Sequence, residues 1–195
     1  MQRLSDNTLN VISCQESPGC ASMVYMEIAF IPQSALRIKS KLMTLGVDQV
    51  DKNNSRGTIV LHTDPKDLKQ PSDDHVLING AGEYEVGGIK ITGTRNGLQV
   101  LYSMNVDGVE VLVGKISALD AMQHKLKEHD IVVALCDEIV TASFLTSLAS
   151  NVVIFYGDKS LEISQAFGKD TVKHMPKYQT TKDKLPQEVE TVILE

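Results

Sequence analysis

The sequence contains no tryptophan, and aromatic residues make up only 5% of its 195 positions. Proteins that bind single-stranded nucleic acid usually stack the bases on aromatic side chains within a basic groove. The formal net charge is -6, so the chain also lacks the excess of lysine and arginine that such a groove requires. The composition therefore predicts a protein without a nucleic-acid partner.

Cysteine is also scarce, and its three residues, Cys14, Cys20 and Cys136, fit neither a disulfide framework nor a Cys-x-x-Cys metal site. No apolar run approaches the roughly 18 residues that a membrane span needs. The first residues lack the apolar core of a signal peptide. We therefore expect a cytoplasmic protein with no membrane partner, whose length fits one domain over residues 1–195.

Four glycines lie within residues 79–88, between apolar segments at 76–78 and 89–91. Gly80 and Gly82 begin like a dinucleotide-binding fingerprint, but Glu85 stands where the third glycine belongs and no helical pattern follows. The carboxylates of Glu83 and Glu85 would also repel a phosphate. The stretch instead predicts three short strands joined by turns, and its spacing assigns no role to the two glutamates.

The first half of the chain is rich in β-patterns. Residues 58–61 form a short apolar strand, and residues 97–104 and 109–113 predict a hairpin across 105–108. Between residues 33 and 56 the pattern is less regular. Apolar residues there stand at loosely helical spacing before a polar run that is typical of a loop, and these residues are Leu36, Ile38, Leu42 and Leu45.

The second half alternates between helices and strands. Ser117 is a candidate N-cap for a helix that ends near His129, and further helices are expected around Phe144 and between Ile163 and Phe167. The continuous apolar runs 131–135 and 152–155 predict strands buried on both faces, and a last strand covers 188–194. This order predicts two sheets with helices packed outside.

Few other side chains suggest a site. Cys136 follows a buried strand and precedes Asp137, whose negative charge disfavours a reactive thiolate, so we expect a structural cysteine. His124, His129 and His174 are expected at the surface. The late lysines are interpreted as a solvated face, and they are Lys169, Lys173, Lys177, Lys182 and Lys184.

Two segments carry a resemblance to a known family. Residues 76–88, VLINGAGEYEVGG, resemble the V-I-D-G-P-G-E-Y-E-V-G-G stretch of small bacterial proteins related to the ascorbate-6-phosphate lactonases, within the metallo-β-lactamase-fold superfamily. Residues 29–32, AFIP, are similar to that branch's I-D/N-P after an early strand. The resemblance implies an α/β (α+β) fold, a four-layer αββα sandwich of two mixed β-sheets with outer helices.

The resemblance also implies where a metal site would lie. Family members hold one or two metal ions through a His-x-His-x-Asp-His motif after a strand, an aspartate after Leu-Gly, and a late histidine. Here the first motif is replaced by residues 62–68, HTDPKDL, and Phe155 to Asp158 stand where the late histidine is expected. Weak candidates remain at the family's site positions, and they are His62, Asp64, Asp67 and Lys115.

A site with so few ligands would lose both metal affinity and water activation. The sequence therefore predicts a protein of this fold that has lost its metal site and acts as a non-catalytic binding or scaffold module, without a cofactor. The alternative is a hydrolase of lactones or phosphoesters that holds zinc or manganese through His62, Asp64 and Asp67. The expected partner is a small molecule or a protein, and assembly into homo-oligomers is left open.

Overall fold

Two mixed β-sheets stack around a shared layer of apolar side chains. The computed structural model describes residues 25–31, 35–48, 58–64, 75–148, 150–167 and 172–195. The first sheet has six strands, which are β1 (Met26–Ile31), β2 (Ala35–Lys39), β3 (Thr44–Val47), β4 (Thr58–Leu61), β5 (Val76–Ile78) and β13 (Lys177–Thr180). Their order across the sheet is β13-β1-β2-β3-β4-β5, with parallel pairing from β3 to β5.

The second sheet is larger and has eight strands. They are β6 (Gly82–Val86), β7 (Ile89–Asn96), β8 (Gln99–Val106), β9 (Val109–Lys115), β10 (Ile131–Leu135), β11 (Val152–Tyr156), β12 (Val172–Met175) and β14 (Glu190–Leu194). Their order is β12-β14-β11-β10-β9-β8-β7-β6. Strands β6 to β9 form an antiparallel meander, whereas β9, β10, β11, β14 and β12 run parallel.

Helices cover the outer face of the eight-stranded sheet. They are α1 (Ile116–Met122), α2 (Ala142–Ser147) and α3 (Ser160–Ala166). Leu119, Phe144 and Ile163 pack against outward-facing residues of the sheet, among them Leu112 and Phe155. Among the described residues no helix covers the other side of the six-stranded sheet, and none is long and apolar enough to cross a membrane. The α/β class with two mixed sheets and outer helices is confirmed.

The continuous apolar runs behave as expected. All residues of β10 and β11 are buried, because the other sheet covers one face and the helices cover the other. The β8–β9 hairpin is also confirmed, with a turn at Asp107 and Gly108 that takes φ of 52° and 86°. Positive φ at both turn positions matches the right-handed twist of the strands.

Residues 35–47 contradict the loosely helical interpretation. They form the antiparallel pair β2–β3, in which Leu36 lies opposite Val47 and Ile38 lies opposite Leu45. The true period is two, and it was obscured by Leu42, which is 73% exposed in the connecting turn. The hydroxyl of Ser40 closes that turn by accepting hydrogen bonds from the backbone N–H groups of residues 42 and 43.

Helix α1 also differs from its prediction. It ends at Met122 and passes into a 3-10 turn over residues 123–125, well before His129. Ser117 is not its N-cap, because the helix follows β9 directly and Lys115 occupies that position. The Ser117 hydroxyl is instead hydrogen-bonded to the Gln99 side chain.

Gly93 marks a close approach between β7 and the glycine-rich stretch. A Cβ atom added there would lie 2.3 Å from the Gly80 carbonyl oxygen, which is backbone and cannot swing away. We expect Gly93→Ala to lower the free energy of unfolding by about 2 to 3 kcal/mol in urea titrations, as overpacking does.

Gly97→Ala is the matched control for that substitution. Nothing lies within 4 Å of an added Cβ at Gly97, so only its positive φ of 59° opposes alanine, at a cost of about 1 kcal/mol. Equal losses of stability in the two variants would contradict the close approach.

Candidate functional site

Charged side chains gather where β4, β9 and β10 end. Lys115, the last residue of β9, places its Nζ atom 3.2 Å from Asp64 Oδ2 and 3.7 Å from Asp137 Oδ2. The side chains of Lys115 and Asp64 are only 16% and 18% exposed. The carboxyl ends of parallel strands commonly hold the functional groups of α/β proteins, so this cluster occupies the place where a site is expected.

The Lys115 ammonium stays charged in this cluster. Burial alone would lower its pKa, but the hydrogen bond to Asp64 and the negative charges of Asp137, Asp64 and Asp48 outweigh burial and raise the pKa. The carboxylates around this lysine therefore outweigh its partial burial. The cluster therefore contains an internal cation at neutral pH.

Asp48 lies beside the cluster at the end of β3. Its two carboxylate oxygens accept hydrogen bonds of 2.7 Å from the Thr63 backbone N–H and from the Thr63 hydroxyl. Burial raises the pKa of Asp48, although the Thr63 hydrogen bonds and the charges of His62 and Lys115 partly oppose the rise. With a φ of 61°, Asp48 takes a left-handed conformation that few residue types tolerate. Asp48 thus fixes the backbone between His62 and Asp64.

His62 is buried, with 2% of its surface exposed, and neither ring nitrogen has a hydrogen-bond partner among the described residues. Its backbone is held on both sides. The N–H donates to the Ile78 carbonyl at 3.0 Å, and the carbonyl accepts from the Tyr102 hydroxyl at 2.9 Å. The hydroxyl of Tyr156 is likewise buried and unpaired in the described parts of the chain. Two polar groups at this sheet edge therefore have no hydrogen-bond partner in the part of the chain that the structure describes.

The residues that the structure describes at these strand ends do not by themselves fit a metal centre of the family kind. Within the described ranges no three His, Cys, Asp or Glu side chains converge as ligands. The ammonium of Lys115 has no lone pair to offer a metal, and it lies at Asp64 and Asp137, the oxygens that an ion would need. A divalent cation beside it would be repelled. Asp67, the remaining weak candidate, lies outside the described residues.

The structure also places the other residues that the sequence singled out. Cys136 is buried, and burial raises the pKa of its thiol to about 12, in agreement with a structural role. Glu83 and Glu85 are exposed on β6, at the edge of the eight-stranded sheet. His129 is not at the surface but buried, hydrogen-bonded to Ser103 and to the Lys127 carbonyl.

Sequence reasoning missed Asp48 and undervalued Asp137. Asp48 comes directly after β3, and Asp137 is separated from β10 only by Cys136. A search for acidic residues at the carboxyl ends of all predicted parallel strands would have found Asp137. It would not have found Asp48, because β3 was not predicted.

We expect Lys115→Met to lower the free energy of unfolding by about 1 to 2 kcal/mol, since Asp64 and Asp137 would lose their cation in a partly buried place. The raised pKa means that this stabilisation is complete below the ordinary lysine value of 10.5 and is lost as the pH rises through the folded value. Urea titrations from pH 7 to 11 measure it. Lys159→Met is the control, because the Lys159–Glu162 pair is exposed and should contribute about 0.5 kcal/mol or less.

We expect Asp48→Asn to change the free energy of unfolding by at most about 1 kcal/mol at neutral pH, because asparagine tolerates positive φ and can bond both Thr63 groups. Asp48→Ala should cost about 2 to 3 kcal/mol by losing both hydrogen bonds. A raised pKa favours the protonated folded state, so the wild type should lose stability relative to the asparagine variant as the pH rises from about 4. Thermal unfolding between pH 3 and 8 checks both; equal costs for the two variants would contradict the role of the hydrogen bonds.

Comparisons with known proteins identify the architecture. No protein-family model and no curated protein matches the sequence. Among solved structures, a Thermotoga maritima protein assigned to the Zn-dependent hydrolases of the metallo-β-lactamase superfamily matches with a TM-score of 0.67 at 16% identity, over 87% of this chain and 99% of that one.

Two further structures are similar at lower scores. A Parabacteroides distasonis protein assigned as a metal-dependent hydrolase has a TM-score of 0.51 at 19% identity, covering 73% of this chain and 88% of its own. Igni18, a metallo hydrolase from Ignicoccus hospitalis, has a TM-score of 0.51 at 14% identity, covering 80% and 97%. At such low sequence identity, the similarity is evidence for a shared fold and not for a shared function. The two stacked mixed sheets, their outer helices and these matches together show that the chain has the metallo-β-lactamase fold.

Proposed function

We propose that this protein is a metal-free member of its fold that acts, at the carboxyl ends of the strands, as a binding or scaffold module and not as a metallohydrolase. The observation that carries the proposal is the ammonium of Lys115, which lies within 3.2 Å of Asp64 and 3.7 Å of Asp137. An internal cation there supplies the positive charge that these carboxylates require. It supplies no Lewis acidity and no activated water.

The partner that suits this proposal is a small molecule or another protein. The four late lysines that the structure describes are each engaged by another side chain and so offer less free positive charge to nucleic acid. Lys173 pairs with Glu190, Lys177 with Glu27, and Lys182 with Asp130, and the Lys184 ammonium lies over the Tyr25 ring. These pairings support the expectation that nucleic acid is not a ligand.

A second candidate function is favoured by His62. Both ring nitrogens of His62 are buried and lack a hydrogen-bond partner among the described residues, as expected for a histidine ligand whose metal ion is absent. In that case His62 with Asp64, and with Asp67 from outside the described residues, would hold zinc or manganese in a rearranged site. The chemistry would then be hydrolysis of lactones or phosphoesters, as the resemblance to the ascorbate-6-phosphate lactonases implies.

Metal content separates the two functions. We expect protein purified without chelator to hold well below one equivalent of zinc, manganese or iron by elemental analysis. Adding zinc or manganese should leave its melting temperature unchanged, because a ligand raises that temperature only by binding the folded state.

One tightly held equivalent that disappears in His62→Ala would overturn the proposal in favour of the hydrolase. His174→Ala is the matched control, because His174 lies on β12 and pairs with Glu195, far from the ends of β4 and β9 in the order of strands. Metal lost equally in both variants would indicate adventitious binding that is not specific to the ends of β4 and β9, and it would leave the metal-free proposal standing.

A further inference from the structure

A second arrangement of polar side chains lies on the outer face of the eight-stranded sheet. His129, which is 9% exposed, places its Nε2 atom 2.8 Å from the Ser103 hydroxyl oxygen. Its Nδ1 atom lies 2.8 Å from the carbonyl oxygen of Lys127. Ser103 belongs to β8 and is half-buried, whereas His129 comes from the segment that leads into β10. A serine, an imidazole and an acceptor are therefore aligned in one chain of hydrogen bonds.

The carbonyl group decides which nitrogen of His129 carries the proton. A carbonyl oxygen only accepts hydrogen bonds, so Nδ1 must donate to Lys127, and in the neutral ring Nε2 must be the acceptor. The Ser103 hydroxyl then donates to Nε2. A hydroxyl that donates to an imidazole whose other nitrogen is oriented by a third group is the arrangement by which serine nucleophiles are activated.

The hydroxyl of Ser103 opens onto a surface groove of about 410 Å³. Thr92 lies directly opposite Ser103 in the β7–β8 register, and Lys90 lies opposite Asn105 on the same exposed face. Such cross-strand neighbours have Cβ atoms about 4.5 to 5.5 Å apart. Among the described residues neither the Thr92 hydroxyl nor the Lys90 ammonium has a side-chain partner. Two donors are thus available beside the nucleophile for an oxygen that gains negative charge.

The fourth polar group in the groove is already engaged. Asn105 donates through Nδ2 to the carboxylate of Glu110 and accepts from the Gly108 N–H. Glu110 is therefore tied to the strand opposite and does not pair with Lys90. Among the described residues that line the groove, Lys90 is therefore the cation without an ion-pair partner.

We propose that Ser103 is a nucleophile that accepts the acyl group of small carboxylic esters, with His129 as its general base. The Ser103 oxygen bonds to the ester carbonyl carbon while its proton moves to His129 Nε2. The bond from that carbon to the alcohol oxygen then breaks, and the proton passes to the departing alcohol. Water, deprotonated by the same nitrogen, releases the acid and restores the serine.

This activity is independent of the metal question. Ser103 lies in the middle of β8 on the outer face of the sheet, whereas Lys115 and Asp64 lie at the strand ends. The reaction uses only side chains of this chain. Its failure would leave the metal-free proposal intact, and the reverse also holds.

A fluorophosphonate ester, which forms a stable adduct with activated serines, tests the proposal on the intact protein. We expect an adduct on the Ser103 peptide by mass spectrometry at pH 8, with labelling at least 100-fold slower in His129→Gln, as loss of a general base predicts. Hydrolysis of p-nitrophenyl acetate should fall by a similar factor in Ser103→Ala. Circular dichroism shows whether each variant is folded.

Labelling of the wild-type protein alone can overturn the proposal, so the test remains decisive even if a variant does not fold. Ser117 is the internal control, because its hydroxyl is hydrogen-bonded to the Gln99 amide and, in the described parts of the chain, to no imidazole. No adduct at Ser103, or labelling of Ser103 no faster than of Ser117, would show that the Ser103–His129 hydrogen bond only fastens the segment to the sheet. Ester hydrolysis that survives in folded Ser103→Ala would have the same meaning.

Discussion

Where the apolar layer between the two sheets ends, buried backbone carbonyl groups need hydrogen-bond donors, and the Tyr102 hydroxyl is such a donor. Its ring is fully buried in that layer, and its hydroxyl reaches the carbonyl oxygens of His62 and Ile78, at 2.9 and 3.1 Å. Burial raises the pKa of this hydroxyl, which therefore stays protonated and able to donate. Because a buried tyrosine hydroxyl must find a partner, this contact holds the ends of β4 and β5 against β8. The geometry of the strand-end cluster depends on it.

Once the strand ends are fixed, their charges must be balanced in a place with little water. Asp64 follows a strand of the six-stranded sheet and Asp137 follows a strand of the eight-stranded sheet, yet both lie beside the ammonium of Lys115, and half-buried Asp48 is close enough to act on its charge. In this chain the ammonium of Lys115, at the end of β9, lies 3.2 Å from Asp64 and 3.7 Å from Asp137 and offsets their negative charge. Lys115 needs no exogenous ligand and gives the same charge balance at every metal concentration.

Some of this could be predicted from the sequence, for identifiable reasons. β10 and β11 were predicted because two-sided burial makes their sequences continuously apolar, and the glycine stretch because its turns require particular residues. Strands β2 and β3 were not predicted, because the exposed Leu42 between them interrupts the alternation of apolar and polar residues.

Local sequence patterns located single residues of the site but could not predict which of them contact each other. Lys115 and Asp64 were located by their resemblance to family positions, but their ion pair joins residues 51 apart in the chain. Strand β13 was also missed, since Tyr178 and Thr180 alternate with exposed Lys177 and Gln179 in a stretch that reads as solvated. Such contacts depend on how distant strands pair, and the local hydrophobic pattern of a sequence carries no information about that pairing.

The position of His129 depends on its neighbour in the chain, Asp130. The Asp130 carboxylate accepts from the Glu110 N–H at 2.8 Å and from Lys182 Nζ at 2.6 Å, and its carbonyl accepts from the N–H groups of Asn151 and Val152. These contacts tie the segment before β10 to β9, to β11 and to the C-terminal part of the chain. An imidazole next to such an anchor has little freedom to leave Ser103. Lys182, which the composition suggested to be merely solvated, is therefore part of what holds the outer-face histidine in place.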